Sequence, residues 1–212
     1  MEYISIDIEV SGLNSEQDSL LEFAAILEDT NNLKSFDEIP KFQTYIINDK
    51  IIGNPFALNM NKGIIEKLAN YPKNEKEYNF TNYENLSEKF YNWLIELEYI
   101  ESAKTNFDQY QEFFVYNHLL PGSDYPKIKL LVAGKNFANF DYQFLKKVPK
   151  FLDYFEIHHR ILDPVTLYTD WKHDIEPPNT DICNQRAEIK NEYPHNALYD
   201  CWNCIKLFRK KY

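Results

Sequence analysis

Two carboxylates stand two residues apart near the start of the chain, in Tyr3-Ile4-Ser5-Ile6-Asp7-Ile8-Glu9-Val10. Apolar Ile4, Ile6, Ile8 and Val10 alternate with Ser5, Asp7 and Glu9. The run therefore predicts a strand with both acids on one face, roughly 7 Å apart at the backbone. Acids held that close repel each other unless a proton or a cation lies between them. A hard divalent ion, bound by a few carboxylates and completed by water and phosphate oxygens, suits such a pair. Taken alone, the motif equally describes a solvent-facing acidic strand edge. Asp141, at the end of Gly134-Lys135-Asn136-Phe137-Ala138-Asn139-Phe140-Asp141, taken alone suits the positive end of a helix. His195 and Asp200, in His195-Asn196-Ala197-Leu198-Tyr199-Asp200, straddle a helix start and taken alone read as a surface pair.

The elements that must position these groups follow from periodicity. Ser11-Gly12-Leu13-Asn14 breaks the first strand as a turn. Leu20 to Leu27 is a second apolar run, readable as strand or helix, and Phe42 to Ile47 a third strand, which together suggest an antiparallel meander. Ile64 to Ala69 and Leu86 to Tyr99 carry helical spacing, the latter with Leu86, Phe90, Trp93, Leu94 and Leu97 on one stripe. Residues 71–85 read as a loop, and 101–126 as an insertion with a weak helix inside. A strand at Ile128 to Ala133, a helix from Asp141 to Lys147, a short strand at Ile161-Leu162-Asp163, a loop at Pro177-Pro178 and a helix from Ala197 to Lys210 complete the chain. Strands first, then a helix, then strand and helix again predict an α/β class, a mixed sheet with flanking helices.

Composition narrows the class. The 212 residues fit one domain, residues 1–212, with 50–127 as an insertion-like segment. No run approaches the roughly 18 apolar residues of a membrane helix, so no membrane partner is expected. The acidic N-terminus lacks a basic leader, and three cysteines cannot all pair with one another, so a reducing cytoplasmic setting is expected. A net charge of −10 discourages unspecific binding to phosphate backbones but is compatible with acids gathered in a metal site. Only three arginines accompany twenty lysines, so phosphate contacts would come mostly from ammonium groups rather than bidentate forks.

Taken together, Asp-x-Glu followed by Gly-Leu, the mid-chain Asn-x-x-x-Phe-Asp and the late His-x-Ala-x-x-Asp resemble the DEDDh 3′–5′ exonucleases, a superfamily that includes proofreading exonucleases, oligoribonuclease and ribonuclease T. Asp18-Ser19-Leu20-Leu21-Glu22-Phe23-Ala24-Ala25 matches its apolar second strand and glutamate. The likeness covers about residues 1–50 and 128–212. It implies a ribonuclease H-like mixed β-sheet of about five strands flanked by α-helices. It implies two divalent cations, Mg²⁺ or Mn²⁺, about 4 Å apart. Asp7 would be shared between them, Glu9 and Asp200 would complete one shell, and Asp141 would act through water. His195 would be the general base. Single-stranded DNA or RNA is the implied substrate and nucleoside 5′-monophosphate the product. Ser11, Gly12, Leu13, Asn136 and Phe140 are the implied substrate contacts, Leu13 stacking beside the terminal base. An enzyme restricted to very short RNA is the second reading, favoured by the acidity. A non-catalytic nucleic-acid-binding or scaffold subunit is the third, opposed by the intact carboxylates.

The chain departs from the family in places. Val10-Ser11 stands where Thr-Thr is frequent, Lys135 where many members have histidine, and His195-Asn196-Ala197 where His-Arg-Ala is frequent. The loosely matched 50–127 segment is where a specificity pocket or a homodimer surface would sit. Cys201-x-x-Cys204 reads as buried thiols of a core helix rather than a zinc half-site or redox pair, since no second such motif accompanies it. His158-His159-Arg160 is read as a phosphate contact or a strand cap. Phe137, Tyr142 and Phe144 are read mainly as core. The lysines at 146, 147 and 150 could offset the acidity, while Arg209, Lys210 and Lys211 are read as a solvated tail.

Overall fold

The computed structural model describes residues 1–97, 127–190 and 195–212. Strands β1 (Glu2–Val10), β2 (Leu20–Asp29) and β3 (Lys41–Ile47) form the expected antiparallel meander. The ambiguous Leu20 run is therefore a strand. Short β4 (Phe80–Asn82) adds parallel to β3, and two-residue β6 (Val132–Ala133) parallel to β1, giving the order β4-β3-β2-β1-β6. This is the mixed sheet that the strand pattern predicts, with the number of strands that the resemblance implies.

Period-two alternation sorts β1 between two layers. Ile4, Ile6, Ile8 and Val10 join Phe23, Phe42, Leu86, Phe90, Phe151 and Phe155 in the larger core cluster. That layer includes α3 (Leu86–Glu96), α4 (Asp141–Leu145) and α5 (Phe151–Tyr154). On the other face Tyr3, Ala24 and Ile26 meet Leu198, Cys201, Cys204 and Ile205 of α8 (Ala197–Arg209). Asp7 and Glu9 share the phase of Tyr3, so the same alternation that packs the core aims both acids toward α8.

Several sequence expectations are corrected. Residues 71–85 are not wholly loop: β4 begins inside them, because Tyr45 N–H bonds Asn79 O (2.9 Å) and draws this polar segment onto the edge of β3. The strand expected at 128–133 divides. β5 (Ile128–Leu130) pairs with β7 (Phe155–Ile157) in a separate two-stranded sheet, and Leu131 hands the chain to β1 by accepting from Ile4 N–H (2.9 Å). The strand expected at 161–163 is a single bridge, Leu162 to Ala133. His158 and Leu162 amides bond Leu130 O and Val132 O (2.8 and 2.9 Å), and the residues between them leave the ladder. The helix expected from Leu86 ends at Glu96; Tyr99 and the insertion at 101–126 lie outside the described residues. Helices α1 (Pro55–Met60), α2 (Lys62–Ala69), α6 (Val165–Tyr168) and α7 (Thr180–Ala187) are also present. Of these only α2 carried a clear apolar stripe. No helix among the described residues is long and apolar enough to cross a membrane.

The C-terminus of α8 is locked rather than solvated. Arg209 gives Nε and Nη2 to the two oxygens of fully buried Glu28 (3.0 and 2.6 Å) and lies over the Trp202 ring. Removing one partner strands the other charge in the core, which costs about 3–5 kcal/mol for a buried pair. Arg209→Ala is therefore expected to lose about 3 kcal/mol in urea unfolding, the arginine being slightly exposed. A loss below about 1 kcal/mol would show that the pair is not desolvated.

Candidate active site

The short length of β6 creates the site. It pairs with β1 only at Ile4 and Ser5, so the edge of β1 beyond them is open. Asp141, first residue of α4, fills that gap: its Oδ1 accepts from Ile8 N–H (3.2 Å). Gly134 allows the loop before α4 to pass against β1, where a Cβ would lie 3.0 Å from Ile6 O. From the opposite layer α8 presents Asp200 in its first turn. One carboxylate oxygen each of Asp7, Glu9 and Asp200 lies within 4.8 Å of the others. Thus four acids spread over nearly 200 residues converge at the end of one strand.

Their electrostatics are costly. Burial, then the charges of Asp141, Asp200, Glu9 and Glu22, drives Asp7 well above the ordinary carboxylate range. Burial, then Glu22 and Asp200, pushes Glu9 to about 8, against a lowering contact from the Asn61 amide. Burial raises Asp141 to about 7, opposed by the Ile8 hydrogen bond, and Asp200 to about 6, opposed by His195. Fully buried Glu22 sits directly across from Glu9 in the β1–β2 ladder. Burial raises it to about 6, while the Gln43 amide and the N–H of Ala197 oppose the rise. A set of oxygen donors that repel one another in the absence of a counter-charge fits a hard divalent cation.

The other sequence candidates divide. His195 is exposed, with φ 62°, immediately before Asn196, whose side chain caps α8 by accepting from Tyr199 N–H (3.2 Å). Leu13 is 80% exposed at the tip of the loop after β1. Gly12 beneath it is replaceable only at the expense of Asp18, whose Oδ2 would stand 2.1 Å from a new Cβ. Ser11 is fully buried; its Oγ donates to Ile52 O and accepts from Ser19 N–H (2.7 Å). Asn136 is exposed with φ 55°, its N–H bonded to Asp163 Oδ2 (3.0 Å). Phe140 is half-buried against Phe144, ring centroids 5.6 Å apart. Cys201 and Cys204 are buried free thiols, Cys201 bonded to Ala24 O (3.5 Å), in keeping with a packed helix. His158 and His159 stack at the surface, centroids 4.3 Å apart.

Two supporting residues escaped the sequence reading. Asn61, almost fully buried between α1 and α2, donates to Val10 O (2.9 Å) and lies against Glu9. Gly53 packs directly on Ser11, where a Cβ would fall 2.2 Å from Ser11 O. Neither leaves a signal in hydropathy. Because the clash is with backbone, Gly53→Ala is expected to cost about 1–3 kcal/mol and to disorder the Leu13 loop. Thermal unfolding and proteolysis between residues 11 and 19 would read both effects; an unchanged melting temperature would show that the loop yields freely.

No protein-family profile matches the chain, and no curated protein does. Solved structures do. Escherichia coli exonuclease I in complex with a dT13 oligonucleotide superposes with TM-score 0.57 over 99% of this chain at 14% identity, spanning 40% of that enzyme. Cell-death related nuclease 4 gives 0.56, 99% and 14%, spanning 62% of that chain. The chain therefore has a ribonuclease H-like fold, shared with these nucleases. The zinc-bound complex of exonuclease I with single-stranded DNA superposes equally well, at TM-score 0.56 and 15% identity. The chain thus spans about two fifths of exonuclease I and less than two thirds of the other nuclease. The exonuclease fold carries here an acidic cluster at the end of its first strand, reached from three separate elements.

Proposed function

We propose that the protein is a divalent-metal-dependent 3′–5′ exonuclease that trims single-stranded nucleic acid to nucleoside 5′-monophosphates. The observation that carries this reading is the convergence of Asp7, Glu9 and Asp200 within 4.8 Å, on a fold shared with nucleases. Asp7, Glu9 and Asp200, with Asp141 beside them, would hold Mg²⁺ or Mn²⁺. When bound, the cations neutralise charge building on the scissile phosphate and on the oxygens entering and leaving it.

The chain's own residues do the rest. Exposed Leu13 wedges against the terminal base, and the half-buried Phe140 offers an aromatic edge beside Asp141. His195, on a solvated loop directly before α8, takes the proton of the attacking water, a role suited to an imidazole near neutral pH. As the water oxygen bonds to phosphorus, the bond from phosphorus to the penultimate O3′ breaks, and that oxygen takes a proton from solvent to become the 3′-hydroxyl of the shortened strand.

The test uses 5′-labelled single-stranded DNA and RNA of two and about twenty nucleotides, with Mg²⁺ or Mn²⁺ and with EDTA. A metal-dependent ladder growing from the 3′ end is expected. Cleavage confined to dinucleotide RNA would select the short-RNA reading, which the arginines favour: Arg186 and Arg209 are both tied up in ion pairs. No cleavage of any strand with metal present would overturn the enzyme.

A further inference from the structure

An exposed tryptophan is carried on a well-fastened loop whose flanking residues bond the Lys135-Asn136 turn that leads to Asp141. Trp171 is 81% exposed and Ile175, close to it in sequence, is fully exposed. An indole left almost wholly in water is free to take a planar partner. This loop is fixed at several points. Arg186 of α7 clamps both oxygens of Asp174 and also bonds Tyr168 O (2.6 Å). Asp174 in turn accepts from Asp170 N–H (2.8 Å), Asp170 accepts from Lys172 N–H (3.0 Å), and Thr169 ties back to Val165 O (3.0 Å). The Arg186 clamp holds the Asp174 carboxyl down at about 2, so it persists at any ordinary pH.

Both ends of this excursion are anchored at the mouth of the site. Asp163, before the loop, receives Asn136 N–H (3.0 Å), and Thr180, after it, receives Lys135 Nζ (2.8 Å). The charge of Lys135 reaches Asp200. Seven residues lie between Asp163 and Trp171, four of them helical, which keeps the indole's backbone within about 20 Å of Asp163. A single strand of a few nucleotides is long enough to span that distance from the carboxylates.

We infer that Trp171 is a stacking platform for an upstream base of the single strand whose 3′ end enters the carboxylate site. This rests on the nuclease reading above. The occupant follows from charge and chemistry. An acidic chain whose Arg186 and Arg209 are spent on Asp174 and Glu28 has little bidentate phosphate grip to offer, so aromatic stacking must carry more of the hold. The superposed exonuclease I structures hold single-stranded oligonucleotides. Every base has a π-face, so the contact is tolerant of sequence.

Trp93 and Trp202 are half-buried, which leaves Trp171 as the solvent-quenchable fluorophore. A ten-nucleotide single strand in Ca²⁺ is expected to quench and shift the tryptophan emission of the wild-type protein, and Trp171→Phe to lose that signal. In parallel, anisotropy of the labelled strand is expected to show weakening of about tenfold or more in Trp171→Ala and Trp171→Leu, with Trp171→Phe close to wild type. Binding by Trp171→Ala equal to wild type, or by Trp171→Leu equal to Trp171→Phe, would overturn the platform while leaving the nuclease intact. So would a wild-type dimer that Trp171→Ala converts to monomer without altering strand affinity, since the patch would then serve self-association. Absence of strand binding by the wild type would instead remove the nuclease reading, and the platform with it.

Discussion

Replacing Asp7 with asparagine is expected to lower turnover at least about a thousandfold while raising the melting temperature of the metal-free protein. The two effects share one cause. Asp7 is raised well above the ordinary carboxylate range, first through burial and then through the charges of Asp141, Asp200, Glu9 and Glu22. An asparagine keeps the shape and removes one of the mutually repelling charges, so the folded state without cations is relieved of a penalty. The same change deletes an oxygen donor from the cluster proposed to hold the cations, and with it charge stabilisation that preorganised sites supply at hundreds- to thousandfold per group. Affinity for a labelled strand is expected to survive, because Leu13 and the loop around it are untouched. Activity and melting temperature measured on one preparation decide the matter. A variant that keeps wild-type turnover removes Asp7 from the site, whereas one that is inactive and also less stable shows that the carboxylate was serving the fold.

How far the sequence reveals such a site depends on whether the relevant contact is periodic. The alternation through Ile4, Ile6, Ile8 and Val10 makes both the strand and the shared face of Asp7 and Glu9 legible, because residues two apart in a strand share a face. The stripe of Leu198, Trp202, Ile205 and Phe208 does the same for α8, and all four pack in the cluster beneath β1 and β2. What cannot be read is anything set by a single close approach. Gly53 matters because Ser11 backbone lies against it, and Asn61 because Val10 O needs a donor where the β1–β2 register shifts after Glu9. Strand β4 was hidden for a related reason: three residues among polar neighbours carry no period, and only the edge of β3 makes them a strand. Ser11, which the resemblance implies as a substrate contact, has its hydroxyl engaged in tying the loop after Glu9 to Ser19 and Ile52, a pairing that leaves no periodic signal. The division of 128–133 between two sheets is likewise a tertiary choice, made by which strand each half lies beside. Trp171 shows the converse, an exposed residue whose meaning comes only from the ties at Asp163 and Thr180.

Stability of the cation-free protein is expected to fall as pH rises from about 5 to 8, and divalent cations to erase that fall. Glu9, Asp141, Asp200 and Glu22 lie at about 8, 7, 6 and 6 in the folded chain, against about 4 when unfolded. Between those limits the folded state binds more protons than the unfolded state, so unfolding free energy declines with pH. The contribution is fully present below about pH 4 and lost above about pH 8. Asp174, lowered to about 2, titrates below that window and does not mask it. A cation competes with the protons, so its stabilising effect grows as they leave. The cation-free melting temperature is therefore expected to be about 5 °C or more higher at pH 5.5 than at pH 8, since 1 kcal/mol moves a chain of this size by about 2–4 °C. Saturating Mn²⁺ should close most of that gap by raising the pH 8 value, and Asp7→Asn should flatten the cation-free profile. A cation-free profile that is level, or that rises with pH, would mean the four acids do not crowd one another in solution, and the convergence at the end of β1 would lose its chemical meaning.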